Sequence, residues 1–218
     1  MNDSIHQIKV GISYAMKTIM TILVVIAIIR GDLIWGIGAA IALFLTFVPT
    51  ILERNYHITL PWILEVLIAF ALFLHIGGGV LSMYYTIPLY DKFAHFISSF
   101  LVAFLGFAMI IILDKYWDGL HMDTKAMVFV VIVSTMAFGV TWEFFEWGSD
   151  LVFSTNEQWG LQDTMTDLVI DTIGGIVMAT IGVTSLKNGR WEQLTHDFDE
   201  DIESFIQNRK NKKYKKKK

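Results

Sequence analysis

The chain has 218 residues, 54% of them hydrophobic and 17% charged, with no cysteine and a formal net charge of −4. An ordinary soluble domain carries about 25% charged residues, so this balance sets aside a soluble globular enzyme and points to lipid as the solvent. The missing cysteine excludes disulfides and thiolate metal ligands, and no nucleic-acid partner is expected.

Crossing the hydrocarbon core takes roughly 20 mostly apolar residues, and the sequence offers that length six times. The first span is predicted over 12–29, where Lys17 near its start can snorkel to the interface. The opening Met-Asn-Asp-Ser-Ile-His has no basic n-region and no small-residue cleavage site follows, so this span is expected to be retained rather than cleaved as a signal. Arg30-Gly31-Asp32 makes a tight turn into the second span, 33–52. Glu53-Arg54-Asn55 and Pro61 bracket the turn into the third, 60–78, with proline tolerated at a helix start. A longer segment, 79–92, leads to the fourth span at 93–113. The fifth is predicted over 127–147 and the sixth over 164–186, joined by 114–126 and 148–163. Trp35, Trp62, Trp117, Trp142, Trp147 and Trp159 fall near predicted ends, as interfacial aromatics do.

These elements predict an all-α, polytopic membrane bundle over residues 1–186, followed by a separate tail at 187–218. In the tail, Trp191, Leu194, Phe198, Ile202 and Phe205 recur at helical spacing among acidic residues, predicting a short amphipathic helix. Arg209, Lys210, Lys212, Lys213 and Lys215–Lys218 follow, a basic run suited to anionic lipid headgroups. Lys9, Lys17, Arg54, Lys115, Lys125 and the tail would share one side, which the positive-inside rule makes cytoplasmic. Both termini are then expected inside, with the chain multi-pass in the plasma membrane.

Three motifs gather ionisable groups inside apolar sequence. Asp91-Lys92-Phe93-Ala94-His95 opens the fourth span, Trp142-Glu143-Phe144-Phe145-Glu146-Trp147 closes the fifth, and Gln162-Asp163 with Asp167 and Asp171 opens the sixth. Asp91 and His95 are four apart and Glu143 and Glu146 three apart, so each pair shares a helix face. Asp163, Asp167 and Asp171 make an acidic stripe. The topology sends all these ends, with His75 near the end of the third span, to the side opposite the basic loops. The helical rise puts Glu143 and Asp167 roughly 6 Å, and Asp171 roughly 12 Å, below their predicted helix ends.

A carboxylate at mid-membrane costs at least ~2.5–3.5 kcal/mol, so a cluster of them calls for protons or a cation. Imidazole and carboxylate donors without thiolate suit a divalent ion, zinc, manganese, magnesium or calcium. Asp91, His95, Glu143, Glu146, Asp167 and Asp171 are the candidate ligands. His75, Lys92, Gln162 and Asp163 are candidates for supporting or substrate contacts, with Lys92 able to meet a phosphate. Each piece also has a structural reading: Asp91-Lys92 as an interfacial ion pair and cap, His75 as a packing histidine, and Gly174-Gly175 as a close helix contact.

The motifs D-K-x-x-H-F at Asp91–Phe96, W-E-x-x-E at Trp142–Glu146 and Q-D-x-x-x-D-x-x-x-D-x-x-G at Gln162–Gly174 resemble the YjdF-type family of membrane proteins, which has no settled function. The arrangement is more distantly similar to VanZ-type envelope proteins, whose pattern has Gln and Asn where this chain has Glu146 and Asp171. The D-G-x-x-A-R start of the CDP-alcohol phosphotransferases is missing. The leading expectation is an outward-facing, metal-dependent site acting on a lipid or lipid-linked envelope substrate. Asp91 would orient His95 or complete the site, and a spare carboxylate would serve as general base. The alternatives are a cation- or proton-coupled transporter using the same carboxylates, and a scaffold with a structural cation site.

Overall fold

The computed structural model describes residues 3–117, 119 and 121–215, with side chains described for 11–117, 119 and 121–208. The basic run from Arg209 onward, with the headgroup contact expected of it, lies outside the described side chains. Every regular element among the described residues is helical: α1 (Asp3–Arg30), α2 (Leu33–Leu45), α3 (Val48–Tyr56), α4 (Trp62–Val80), α5 (Met83–Thr86), α6 (Tyr90–Tyr116), α7 (Thr124–Phe153), α8 (Leu161–Lys187) and α9 (Arg190–Lys215). Six segments are long and apolar enough to cross a bilayer: Gly11–Arg30, Leu33–Tyr56, Trp62–Val80, Tyr90–Tyr116, Thr124–Phe153 and Leu161–Lys187. The fold is all-α, as the hydropathy requires.

The second span is two helices rather than one. Pro49 has no N–H to give an i−4 carbonyl, and its ring clashes with that carbonyl in a helix interior. The chain therefore breaks at Thr46–Phe47 and restarts with proline in the first turn of α3. The Thr46 hydroxyl donates to the Leu43 carbonyl at 2.6 Å, giving one end-of-helix acceptor a partner.

The chain forms two compact units, Met1–Met83 with Gly189–Lys218, and Tyr84–Asn188. In the first, α1, α2 and α4 pack together around Met20, Leu23, Ala27, Ala39, Ala42, Ile76 and Val80. Trp35 packs closely on α4: a Cβ at Gly79 would lie 2.2 Å from its ring. The His75 ring sits 5.5 Å from the same indole. Arg30 donates to the Val80 carbonyl at the end of α4. Helix α9 runs 26 residues, longer than the short helix expected. Its buried face holds Trp191 and Thr195, while Leu194 is 41% exposed. The register is thus one residue off the expected stripe at that turn, with Thr195 bonded to the Trp191 carbonyl at 3.0 Å. Asp201 accepts the Thr59 N–H at 2.7 Å, and Phe205 meets Tyr56 edge-on, tying α9 to the residues flanking the α3–α4 turn.

In the second unit α6, α7 and α8 pack on one another, α6 and α8 most extensively. Helices in lipid gain little from the hydrophobic effect and associate through small residues that admit close backbone approach. Gly174 is where this is tightest. A Cβ there would lie 2.2 Å from Ser99 Oγ and 3.1 Å from the Phe96 carbonyl. The large side chains of α7 turn outward instead, with Phe129, Phe138, Phe144 and Phe145 all exposed, as lipid-facing residues are.

Candidate functional site

The polar residues of the second unit converge at the end where α6 and α8 begin. Leu89 caps α6 in the left-handed conformation (φ 60) without a side-chain cap. Asp91 is therefore not the cap; it stands in the first turn, with His95 one turn on. A leucine held there costs of order 1–3 kcal/mol of backbone strain, a cost that clusters at functional sites.

Lys92 is the hub. Its Nζ donates to Asp91 Oδ2 at 3.0 Å, Asp163 Oδ1 at 2.5 Å and Asp167 Oδ2 at 2.7 Å. Beneath it, His95 Nδ1 lies 3.3 Å from Asp171 Oδ1. The other ring nitrogen, Nε2, faces Asp91 Oδ1 at 3.8 Å and Asp167 Oδ1 at 4.0 Å. One ligand atom each from Asp91, His95 and Asp167 falls within 4.8 Å of the others, an arrangement able to hold a metal ion. His95, Asp167 and Asp171 are all buried.

The third wall is α7. Glu143 is 4% exposed, and neither of its carboxylate oxygens has a hydrogen-bond partner. Asp167 Oδ1 is likewise buried and unpartnered. Thr164, Gln158, His95 and Asp171 surround Glu143 without meeting it in hydrogen-bonding geometry. One turn before Glu143, a Cβ on Gly139 would lie 2.4 Å from Asp171 Oδ2. Glycine is what lets α7 lie against that carboxylate. The spacing G-x-x-x-E, which puts Gly139 and Glu143 on one face, is the signal by which the sequence could have shown it.

The remaining candidates sit at the margin. Glu146 is half-buried and accepts the Trp142 indole N–H at 2.9 Å. Asp163 is shared between Lys92 and the Trp159 N–H. Gln162 is exposed, and His75 belongs to the first unit. The cluster also lies farther from the helix ends than the predicted ends implied, because α6, α7 and α8 each continue beyond their apolar stretches. Counted from Tyr90, Phe153 and Leu161, the rise per residue puts His95 about 8 Å, Glu143 and Asp171 about 15 Å, and Asp167 about 9 Å along their helices.

Beside the cluster is a pocket of about 290 Å3, lined by Tyr84, Tyr85, Tyr90, Trp159, Asp91 and Lys92 together with Thr86–Leu89. Its aromatic wall was not legible as a site in the sequence. The loop that carries Trp159 is stapled by Asp150, whose carboxylate accepts from Thr155 Oγ1 at 2.7 Å, Glu157 N at 2.8 Å and Gln158 N at 3.0 Å. The Tyr85 hydroxyl and the Trp159 indole both donate to the Asn156 carbonyl. Burial, and then the charge of Asp91, pushes the Tyr84 phenol above its ordinary pKa, with Tyr90, Glu146 and Glu157 adding to the effect. Burial also raises the Glu157 carboxyl. The Tyr84 phenol is thus protonated in an acid-rich setting.

No solved structure matches this chain. An uncharacterized protein of Thermotoga maritima is 30% identical over 178 residues, 81% of this chain and 90% of its own length. Residues 12–188 match the family described as "Predicted membrane protein (DUF2238)", and the chain belongs to that family.

Proposed function

We propose that the cluster is a divalent-cation site near the outer surface of the plasma membrane, acting on a lipid or lipid-linked substrate of the cell envelope. The observation that carries the cation is the set of orphaned oxygens: Asp167 Oδ1 and both oxygens of Glu143, buried and without a partner. A buried carboxylate left unpaired costs several kcal/mol. Among the described residues, Lys92 and His95 are the cationic groups paired with Asp91, Asp163, Asp167 and Asp171, and Glu143 adds a fifth carboxylate beside them. A divalent ion supplies the missing charge, and this donor set suits zinc, manganese, magnesium or calcium.

In this reading Asp91, His95 Nε2 and Asp167 are the ligands. Asp171 then acts through His95, accepting the Nδ1 proton and fixing the ring, as carboxylates behind metal-bound histidines do. That exchanges the roles the sequence suggested for Asp91 and Asp171. Glu143 is the spare carboxylate and would serve as general base on water held by a bound ion. The outward side follows from the charge bias of the loops, which also puts both termini in the cytoplasm.

Metal analysis of detergent-purified protein tests the proposal. Wild type should carry a stoichiometric divalent ion, and His95→Ala and Asp167→Asn should lose it. Asp171→Asn should bind about 10–100-fold more weakly, the usual size of an orienting contact. A monodisperse wild type that takes up no divalent ion would leave the proposal without support.

A further inference from the structure

The pocket beside Asp91 has a chemistry of its own. Two ring pairs line it: Tyr84 and Tyr90 stand perpendicular, 88° apart with centroids at 5.4 Å, and Tyr85 and Trp159 are tilted at 42° and 5.6 Å. Aromatic rings carry a negative π-face that attracts a cation within about 6 Å of the ring centroid, and four such rings line this pocket. Lys92, the cation among the lining residues, gives its donors to three carboxylates and so does not oppose a second positive charge. Asp91, in the first turn of α6, lines the same pocket and adds a carboxylate to it. At about 290 Å3 the pocket is at the lower limit for small-molecule sites, enough for a headgroup and not for a whole lipid. Its lip carries exposed Ile87 and Leu89, apolar side chains suited to the membrane interface, from which a lipid headgroup would arrive.

We propose that this pocket binds an organic ammonium group, either the amine of a lipid headgroup or a small soluble amine. It differs from the cation site in its means of recognition, aromatic faces and field rather than ligating atoms, and it does not depend on a metal being bound.

The test is equilibrium binding of radiolabelled choline to the detergent-purified full chain, with chelator and again with magnesium or manganese. Binding should be saturable in both conditions. The uncharged isostere of choline, with carbon in place of nitrogen, should compete about tenfold more weakly, because it keeps the shape and loses the cation–π attraction. Trp159→Phe should retain binding and Trp159→Leu should lose about tenfold. Trp159 is 44% exposed, so these variants leave the core untouched. Equal competition by the isostere, competition by glycerol phosphate instead, or an unaffected Trp159→Leu would each overturn the proposal. Vesicles of phosphatidylethanolamine, set against phosphatidylglycerol, identify the source: displacement of choline by the former alone assigns the ammonium to a lipid, and displacement by neither assigns it to a soluble amine. Choline binding that persists in chelator while metal analysis finds no ion would uphold this inference and sink the cation reading.

Discussion

Lys92→Met should lower the thermal midpoint of the detergent-solubilised protein, by up to roughly 20 °C. Removing one partner of a charge cluster that is fully buried costs ~3–5 kcal/mol, an upper bound for this part-buried one, and each kcal/mol shifts the midpoint of a chain this size by about 2–4 °C. The cost comes from what is left behind. Asp91, Asp163 and Asp167 lose their common donor, and Asp167 is already 1% exposed with one oxygen unpartnered. Divalent ions should restore part of the lost midpoint in the variant and raise wild type less, because ammonium and metal ion serve the same carboxylates. A variant that melts with wild type would show that Lys92 is a surface ion pair, worth about 0–1 kcal/mol, and would remove it as the hub of the cluster.

Gly174→Ala should destabilise by about 1–3 kcal/mol, the cost of overpacking a close contact. The Ser99 hydroxyl, 2.2 Å from the added methyl, can rotate aside. The Phe96 carbonyl at 3.1 Å is backbone and cannot, so α6 and α8 must part. Those two helices hold Lys92 and His95 against Asp163, Asp167 and Asp171, and metal uptake should fall along with the midpoint. Gly106→Ala is the control. A Cβ there meets nothing within 4 Å, and alanine is favoured over glycine in a helix by about 1 kcal/mol. It should leave the midpoint unchanged or raise it. If the two variants behave alike, close packing at Gly174 is not what holds the site together.

The six spans were readable because length and hydropathy record the thickness of the hydrocarbon layer. Helix ends were not, because a helix does not stop where lipid does: α7 runs on through Gly148, Ser149 and Asp150 to Phe153. The break in the second span had its signal in Pro49. In the site, Asp91 with His95, and Asp163 with Asp167 and Asp171, could be read from spacing along single helices. What joins them could not. Lys92 looked like the neighbour of Asp91 alone, yet it bonds residues 71 and 75 positions away. Gly139 and the ring pairs of the pocket likewise acquire meaning only across elements. The tail register slipped by one at Leu194 because a threonine can be buried once its hydroxyl bonds the preceding turn.

The charge pairing across α6 and α8 also bears on how the protein is made. Lys92 enters the membrane with α6, more than sixty residues before Asp163 and Asp167 are synthesised. Each acid of α8 that comes to lie in the hydrocarbon adds to the cost of inserting that span, by up to about 2.5–3.5 kcal/mol at mid-bilayer. It reaches a site where its counter-charge is already waiting. If that pairing assists insertion of α8, a Lys92 variant should accumulate with its last span outside the bilayer.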